Sequence, residues 1–174
     1  MTTLPNNKIK EIKSKNIAIC GLACAGKTVA MHMLKGTFLD IKFAKPHYDV
    51  LKILGQEKNR LFMQEFSDLA KKYFGENIFV KIFENTTTQH ITKLVCDDLR
   101  YKIEFDYCLK NDWTIIYIDT DEDIRKKRSD ELDIEWNPNH NSEQSHLFKE
   151  QCHYIIENNK TLDILKNKID LLFK

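Results

Sequence analysis

Residues Gly21 to Thr28 spell G-L-A-C-A-G-K-T, a complete G-x-x-x-x-G-K-[ST] pattern, and no other stretch constrains the fold so tightly. An apolar run, Asn16 to Cys20, comes immediately before it, and Val29-Ala30-Met31-His32-Met33-Leu34 follows with helical character. A strand, a glycine-containing loop and a helix in that order form a phosphate-binding unit. The glycines permit a tight turn that brings backbone N–H groups to phosphate oxygens, and the helix N-terminus adds partial positive charge there. Lys27 is placed to reach β- and γ-phosphates and the Thr28 hydroxyl to meet a Mg²⁺ ion. Gly21, Ala23, Cys24, Ala25, Gly26, Lys27, Thr28 and Val29 are therefore the expected nucleoside triphosphate site.

Strand and helix patterns alternate along the rest of the chain, which predicts an α/β domain with a parallel sheet covered on both faces. Strands are expected at 16–20, 38–43, 93–96, 113–118 and 154–156, and helices at 48–54, 56–74, 101–109, 121–128 and 162–173. Residues 77–88 fit either period and are read as helix. Leu61, Phe62, Phe66, Leu69 and Tyr73 form an apolar stripe expected to be core, with Gly75 as the cap that ends its helix. Trp113 is expected in the core and Trp136 in lid packing. The whole reads as a polar tail, 1–15, and one three-layer domain, 16–174, of about five strands with helices on both faces. The polar, Asn-rich segment 129–145 joins the preceding charged helix as a lid over about 121–145.

With 174 residues and a net charge of +1, bulk charge gives no support for a nucleic-acid partner. No apolar run reaches membrane-span length, and the Lys-rich first residues lack a signal-peptide core, so a cytoplasmic location is expected. The five cysteines show no paired metal spacing and read as reduced thiols. Cys24 is the exception, a thiol inside the loop whose alkylation should block nucleotide binding.

A phosphate loop alone does not separate kinases from other nucleotide-binding proteins. Asp97-Asp98-Leu99-Arg100 follows an apolar strand, and the carboxyl end of a parallel strand is where ligands bind. Asp98 is the expected metal or acceptor partner and Arg100 the clamp on an acceptor phosphate. Arg125 and Arg128, in a basic run before the long polar segment, are expected to stabilise the transferring phosphate as a lid closes.

Several further blocks resemble the deoxynucleoside monophosphate kinases of the phage and large-virus type. Lys42-Phe43-Ala44-Lys45-Pro46 with Val50-Leu51-Lys52 is similar to "F-A-D-P-L-K" of that family. Arg60-Leu61-Phe62-Met63-Gln64 and Phe74-Gly75-Glu76-Asn77 are similar to "R-x-x-L-Q … F-G-E-D". Asp98-Leu99-Arg100-Tyr101 with Glu104 resembles "D-V-R-F-x-N-E", His140-Asn141-Ser142-Glu143 resembles "H-x-S-E", and 156–162 resembles "I-x-N-x-G-T-L". The resemblance implies phosphoryl transfer from Mg·ATP to a deoxynucleoside monophosphate, and a homodimer. It places Lys45, Arg60, Gln64, Arg100 and Glu104 on the acceptor, Asp98 with Thr28 at the metal, and Lys27, Arg125 and Arg128 on the transferred group. Lys45 stands where the family has Asp, and Ile103 where it has Asn. Transfer to a hydroxyl, as in dephospho-coenzyme A kinase, with Asp40 or Asp98 as base, and a non-catalytic nucleotide-binding module remain alternatives. His140, Ser142 and Glu143 read as a structural or substrate-positioning block rather than a triad.

Overall fold

A computed structural model of the chain describes residues 16–34, 36–88, 93–134 and 141–173; the side chains of residues 60 and 141–143 lie outside that description. The tail, Trp136 and His140 are also outside it, as are the side chains of Ser142 and Glu143. Five parallel strands lie in the order β2-β3-β1-β4-β5, with β1 Ile17–Cys20, β2 Leu39–Asp40, β3 Leu94–Leu99, β4 Thr114–Asp119 and β5 Tyr154–Glu157. The helices are α1 Lys27–Leu34, α2 Lys45–Ile53, α3 Arg60–Phe74, α4 Ile78–Thr87, α5 Lys102–Lys110, α6 Glu122–Glu131 and α7 Leu162–Asp170. A 3₁₀ segment, Asn141–Gln151, precedes β5.

Central strands buried on both faces are near-continuous apolar runs, which is why β1 reads Ile-Ala-Ile-Cys and β4 carries Ile115-Ile116-Tyr117-Ile118 between Thr114 and Asp119 rather than an alternating sequence. One face carries Ile17, Ile19, Val95, Ile116 and Ile118 against Ala30, Met31, Leu165 and Ile169 of α1 and α7. The other carries Ala18, Leu94, Cys96, Ile115 and Tyr117 against Phe83, Phe105, Trp113 and Phe148. The three layers agree with the alternating pattern of the sequence.

Local differences have identifiable causes. The second strand is short, because the chain turns at Phe43-Ala44 and enters α2 at Lys45, with Pro46 in its first turn. The helix expected from Gln56 begins instead at Arg60: Asn59 is extended and its side-chain oxygen accepts from the Phe62 N–H at 2.9 Å. Gly75, at φ 93°, ends that helix as expected, and residues 78–87 are helical. Ser129, assigned to the polar loop, lies in α6, where its hydroxyl donates to Ile134 O at 2.6 Å.

The α3 stripe is the clearest correction. Leu61, Leu69 and Tyr73 are 65%, 55% and 69% exposed, so they are surface rather than core. Helix α3 packs chiefly on α2 and α4. There Phe66 meets the buried His47 edge-on at 5.2 Å, and His47 stacks on Phe79 at 4.6 Å. Burial holds the His47 imidazole below its ordinary range, which favours the neutral ring in this apolar setting.

A candidate nucleotide and phosphoryl-transfer site

Strand β1 ends beneath a loop whose backbone alternates unusual conformations: Gly21 at φ 139°, Cys24 at 58° and Gly26 at 101°. Gly21 has no alternative, since a Cβ there would sit 2.5 Å from Ile118 O on the neighbouring strand. A loop of this kind presents N–H groups to an anion only if its carbonyls point elsewhere and are satisfied. Here they are held by groups from four separate positions. Thr120 Oγ1 and Asn158 Nδ2 donate to Ala25 O at 2.9 and 2.8 Å. Arg128 Nη1 approaches Cys24 O and Ala25 O, both at 3.4 Å, and Arg125 Nη1 reaches Ala23 O at 3.5 Å.

Arg125 and Arg128 therefore sit differently from the lid position expected of them. Arg125 is buried and its Nε donates to Thr120 O at 3.1 Å; Arg128 Nη2 donates to Asn158 O at 3.0 Å. Both act as struts from α6 to the back of the loop. The cause is the short β4–α6 connection, which starts the helix two residues after Thr120 and points its first turns at the loop. Arg125→Ala should cost about 2–3 kcal/mol, because carbonyls buried with it lose their donor. Urea unfolding checks this, and a midpoint unchanged from wild type would return Arg125 to a lid role.

In front of the loop, α1 opens at Lys27. The Lys27 ammonium donates to Gly21 O and Leu22 O at 2.8 and 2.7 Å, folded back over its own loop. Thr28 Oγ1 donates to Asp97 Oδ2 at 2.6 Å, and Lys42 Nζ bonds Asp97 Oδ1 at 2.5 Å. Burial alone would raise the Asp97 carboxyl, but the bonds from Lys42 and Thr28 outweigh it and hold the group below the usual carboxylate range. Asp97 is thus an anion at neutral pH, with its side chain 3% exposed.

The carboxylate on Thr28 is Asp97 rather than Asp98, and the reason is a slip in strand register. Ala18 pairs with Cys96 but Cys20 pairs with Leu99, so β3 carries one extra residue between them. Leu94, Cys96 and Leu99 all face one core while Val95 faces the other. The bulge sends Asp97 toward the loop and leaves Asp98 facing the β2–α2 turn. There Asp98 accepts the N–H groups of Phe43 and Ala44 at 3.2 and 2.9 Å, and burial raises its carboxyl despite both bonds. Its position is that of a turn-fixing group.

The remaining acceptor-side positions are mixed. Arg100 follows β3 and is half-buried, and its charge reaches the Tyr48 and Tyr101 phenols. Lys71 Nζ lies 4.3 Å from the Tyr101 ring centroid. Lys45 pairs with Asp49 one helical turn on, at 2.5 Å, on the exposed side of α2. Gln64 is half-buried on α3, and Arg60 is placed only as the first residue of that helix. Glu104 is buried and accepts the Arg100 and Tyr101 N–H groups at 2.8 and 3.0 Å, bracing the start of α5. Reasoning from sequence missed Lys42, Asp97, Thr120 and Asn158 as site residues. Asn158 carried a signal, as the Asn of the "I-x-N-x-G-T-L" block.

Burial pushes the Glu104 carboxyl up from 4.5 to about 7, against the lowering effect of its two N–H donors. The folded chain then holds this proton more tightly than the unfolded one. Its contribution to stability is complete below about pH 4.5 and lost as pH rises to about 7, by up to about 3 kcal/mol. Glu104→Gln should remove that loss, so wild type minus variant stability falls between pH 5 and 7.5. A difference independent of pH would show that Glu104 is ionised throughout.

The geometry can be set beside known proteins. No family model matches the chain, and no curated protein matches it in sequence. A shikimate kinase from Acinetobacter baumannii, solved in complex with shikimate, superposes with a TM-score of 0.55 at 18% identity, covering 90% of this chain and 92% of that one. A shikimate kinase from Bacteroides thetaiotaomicron gives 0.53 at 13% identity, covering 90% and 95%. The fold is the shikimate kinase-like P-loop fold. TT1252 from Thermus thermophilus shares it, with a TM-score of 0.50 at 12% identity, covering 90% of this chain and 95% of that one. Among the described residues no helix of this P-loop domain is long and apolar enough to cross a membrane.

Proposed function

We propose that the chain transfers the γ-phosphoryl group of Mg·ATP to the phosphate of a nucleoside monophosphate, with a deoxynucleotide as the favoured acceptor. The observation that carries this reading is the line Thr28–Asp97–Lys42, which runs from the phosphate loop across β3 to the end of β2. An oxygen-rich pair of hydroxyl and carboxylate fits a magnesium ion that keeps most of its ligands from water and the triphosphate. Thr28 and Asp97 would hold that ion, whose charge offsets the developing charge between the β- and γ-phosphates.

Lys27 supplies an ammonium to the same phosphates after leaving the Gly21 and Leu22 carbonyls. Lys42 and Arg100 place two cations at the carboxyl ends of β2 and β3, the edge where an acceptor phosphate must lie for in-line attack. Such an acceptor is already anionic at neutral pH, so the chain needs no general base. The sequence blocks that resemble those of deoxynucleoside monophosphate kinases favour this acceptor class. The alternative is transfer to a hydroxyl, as in dephospho-coenzyme A kinase; shikimate kinases have the same fold. That chemistry needs a base, for which Asp40 and Asp98 are the candidates; Asp98 is tied to the β2–α2 turn by the Phe43 and Ala44 N–H groups, one to each oxygen.

An ADP-release assay with Mg·ATP against each dNMP, each NMP, dephospho-coenzyme A and shikimate tests the reading. Turnover should depend on one or a few deoxynucleotides. Asp97→Asn should lower kcat by about 10²–10³, roughly 3–4 kcal/mol, and Asp98→Asn by less than about tenfold with a lower melting midpoint. Turnover confined to a hydroxyl acceptor, or a deeper loss at Asp98, would contradict the assignment.

A further inference from the structure

Two thiols far apart in sequence meet directly beneath the phosphate loop. Cys20 is the last residue of β1 and fully buried; Cys152 is half-buried in the turn before β5. Their Sγ atoms lie 3.6 Å apart across 132 residues of chain. Each also faces a carbonyl, Ile116 O at 3.6 Å for Cys20 and Phe148 O at 3.5 Å for Cys152. Cys96 and Cys108 are both fully buried, whereas Cys152 offers one edge to solvent.

We propose that Cys20 and Cys152 form an oxidation site, in which a hydroperoxide converts the thiol pair to a disulfide that loosens the phosphate loop. The chemistry starts at the accessible sulfur. The Cys152 thiolate attacks the O–O bond, becoming a sulfenic acid while the peroxide leaves as an alcohol or water. Cys20 Sγ then attacks Cys152 Sγ, the S–S bond forms as the S–O bond breaks, and hydroxide leaves as water with the Cys20 proton. Two thiols and one hydroperoxide thus give one disulfide, one alcohol and one water. Cys20 is fully buried, which keeps oxidant from it and leaves it the resolving partner; the hydrogen bond with Cys152 and burial both push its thiol up. Contact at 3.6 Å compensates through proximity.

The consequence for the loop follows from bond length. A disulfide measures about 2.05 Å, so the sulfurs must close by roughly 1.5 Å. Cys20 is bonded to Gly21, whose Cα is pressed against the β4 backbone so closely that a Cβ would lie 2.5 Å from Ile118 O. Movement of Cys20 toward Cys152 therefore disturbs the first residue of the loop rather than slack chain.

The test uses the full chain, reduced, freed of reductant and titrated with hydrogen peroxide. Intact mass should fall by two hydrogens, and two of the five thiols should disappear. A non-reducing digest should hold a peptide joining Cys20 to Cys152. Hydrogen exchange across the Gly21–Thr28 peptide should rise at least about threefold in the oxidised form and return with dithiothreitol. Cys24→Ser should leave the cross-link intact, while Cys152→Ser and Cys152→Ala, each checked by its melting midpoint, should abolish it. A cross-link through Cys24, or sulfinic acid at Cys152 without a bridge, would overturn the site. A bridge without faster loop exchange would overturn its effect. None of these readouts requires turnover, so they stand apart from the fate of the kinase reading.

Discussion

The carbonyls of Ala23, Cys24 and Ala25 are held from behind by Arg125, Arg128, Thr120 and Asn158, and the site in front of them depends on that grip. A loop bent through three positive φ angles does not keep its shape by propensity alone. Its polar groups need partners that survive when no anion is bound. Donors come from the end of β4, from α6 and from the end of β5, so the loop is tied to three elements that follow it by about a hundred residues or more. A triphosphate bound as proposed would meet a loop already in place, with little ordering entropy spent on binding.

The same logic explains the division of labour between two adjacent carboxylates. A single extra residue in β3 gives Asp97 to the phosphate loop and Asp98 to the turn after β2. Asp97 is ionised by its partners; Asp98 spends its oxygens on two backbone N–H groups. One bulge thus fixes both the candidate metal position and the turn that leads into α2.

Much of this was legible from residue order, and the failures are instructive. The loop, the central strands and the Gly75 cap follow from local rules: a motif in strand–helix context, apolar runs, and a residue tolerant of φ 93°. The Asp97–Asp98 assignment could not be read locally, because a bulge is a property of the pairing between β1 and β3. Arg125 and Arg128 look alike whether they face solvent, phosphate or carbonyl. Only the packing angle of α6 decides among those. The α3 stripe misled for a related reason: an amphipathic period says that one face is apolar, not that the fold has a partner for all of it. Leu61, Leu69 and Tyr73 remain on the surface of a helix that packs chiefly on α2 and α4.

The central claim is that a prebuilt loop with Lys27 folded over it binds Mg·ATP. Calorimetric titration of ATP into wild type and Lys27→Ala, with and without Mg²⁺, addresses it most directly. The account predicts measurable binding by wild type, weakened at least about a hundredfold (roughly 2.7 kcal/mol) in the variant, with the variant still folded at the titration temperature. Equal affinity in both proteins, or no binding by wild type, would contradict it.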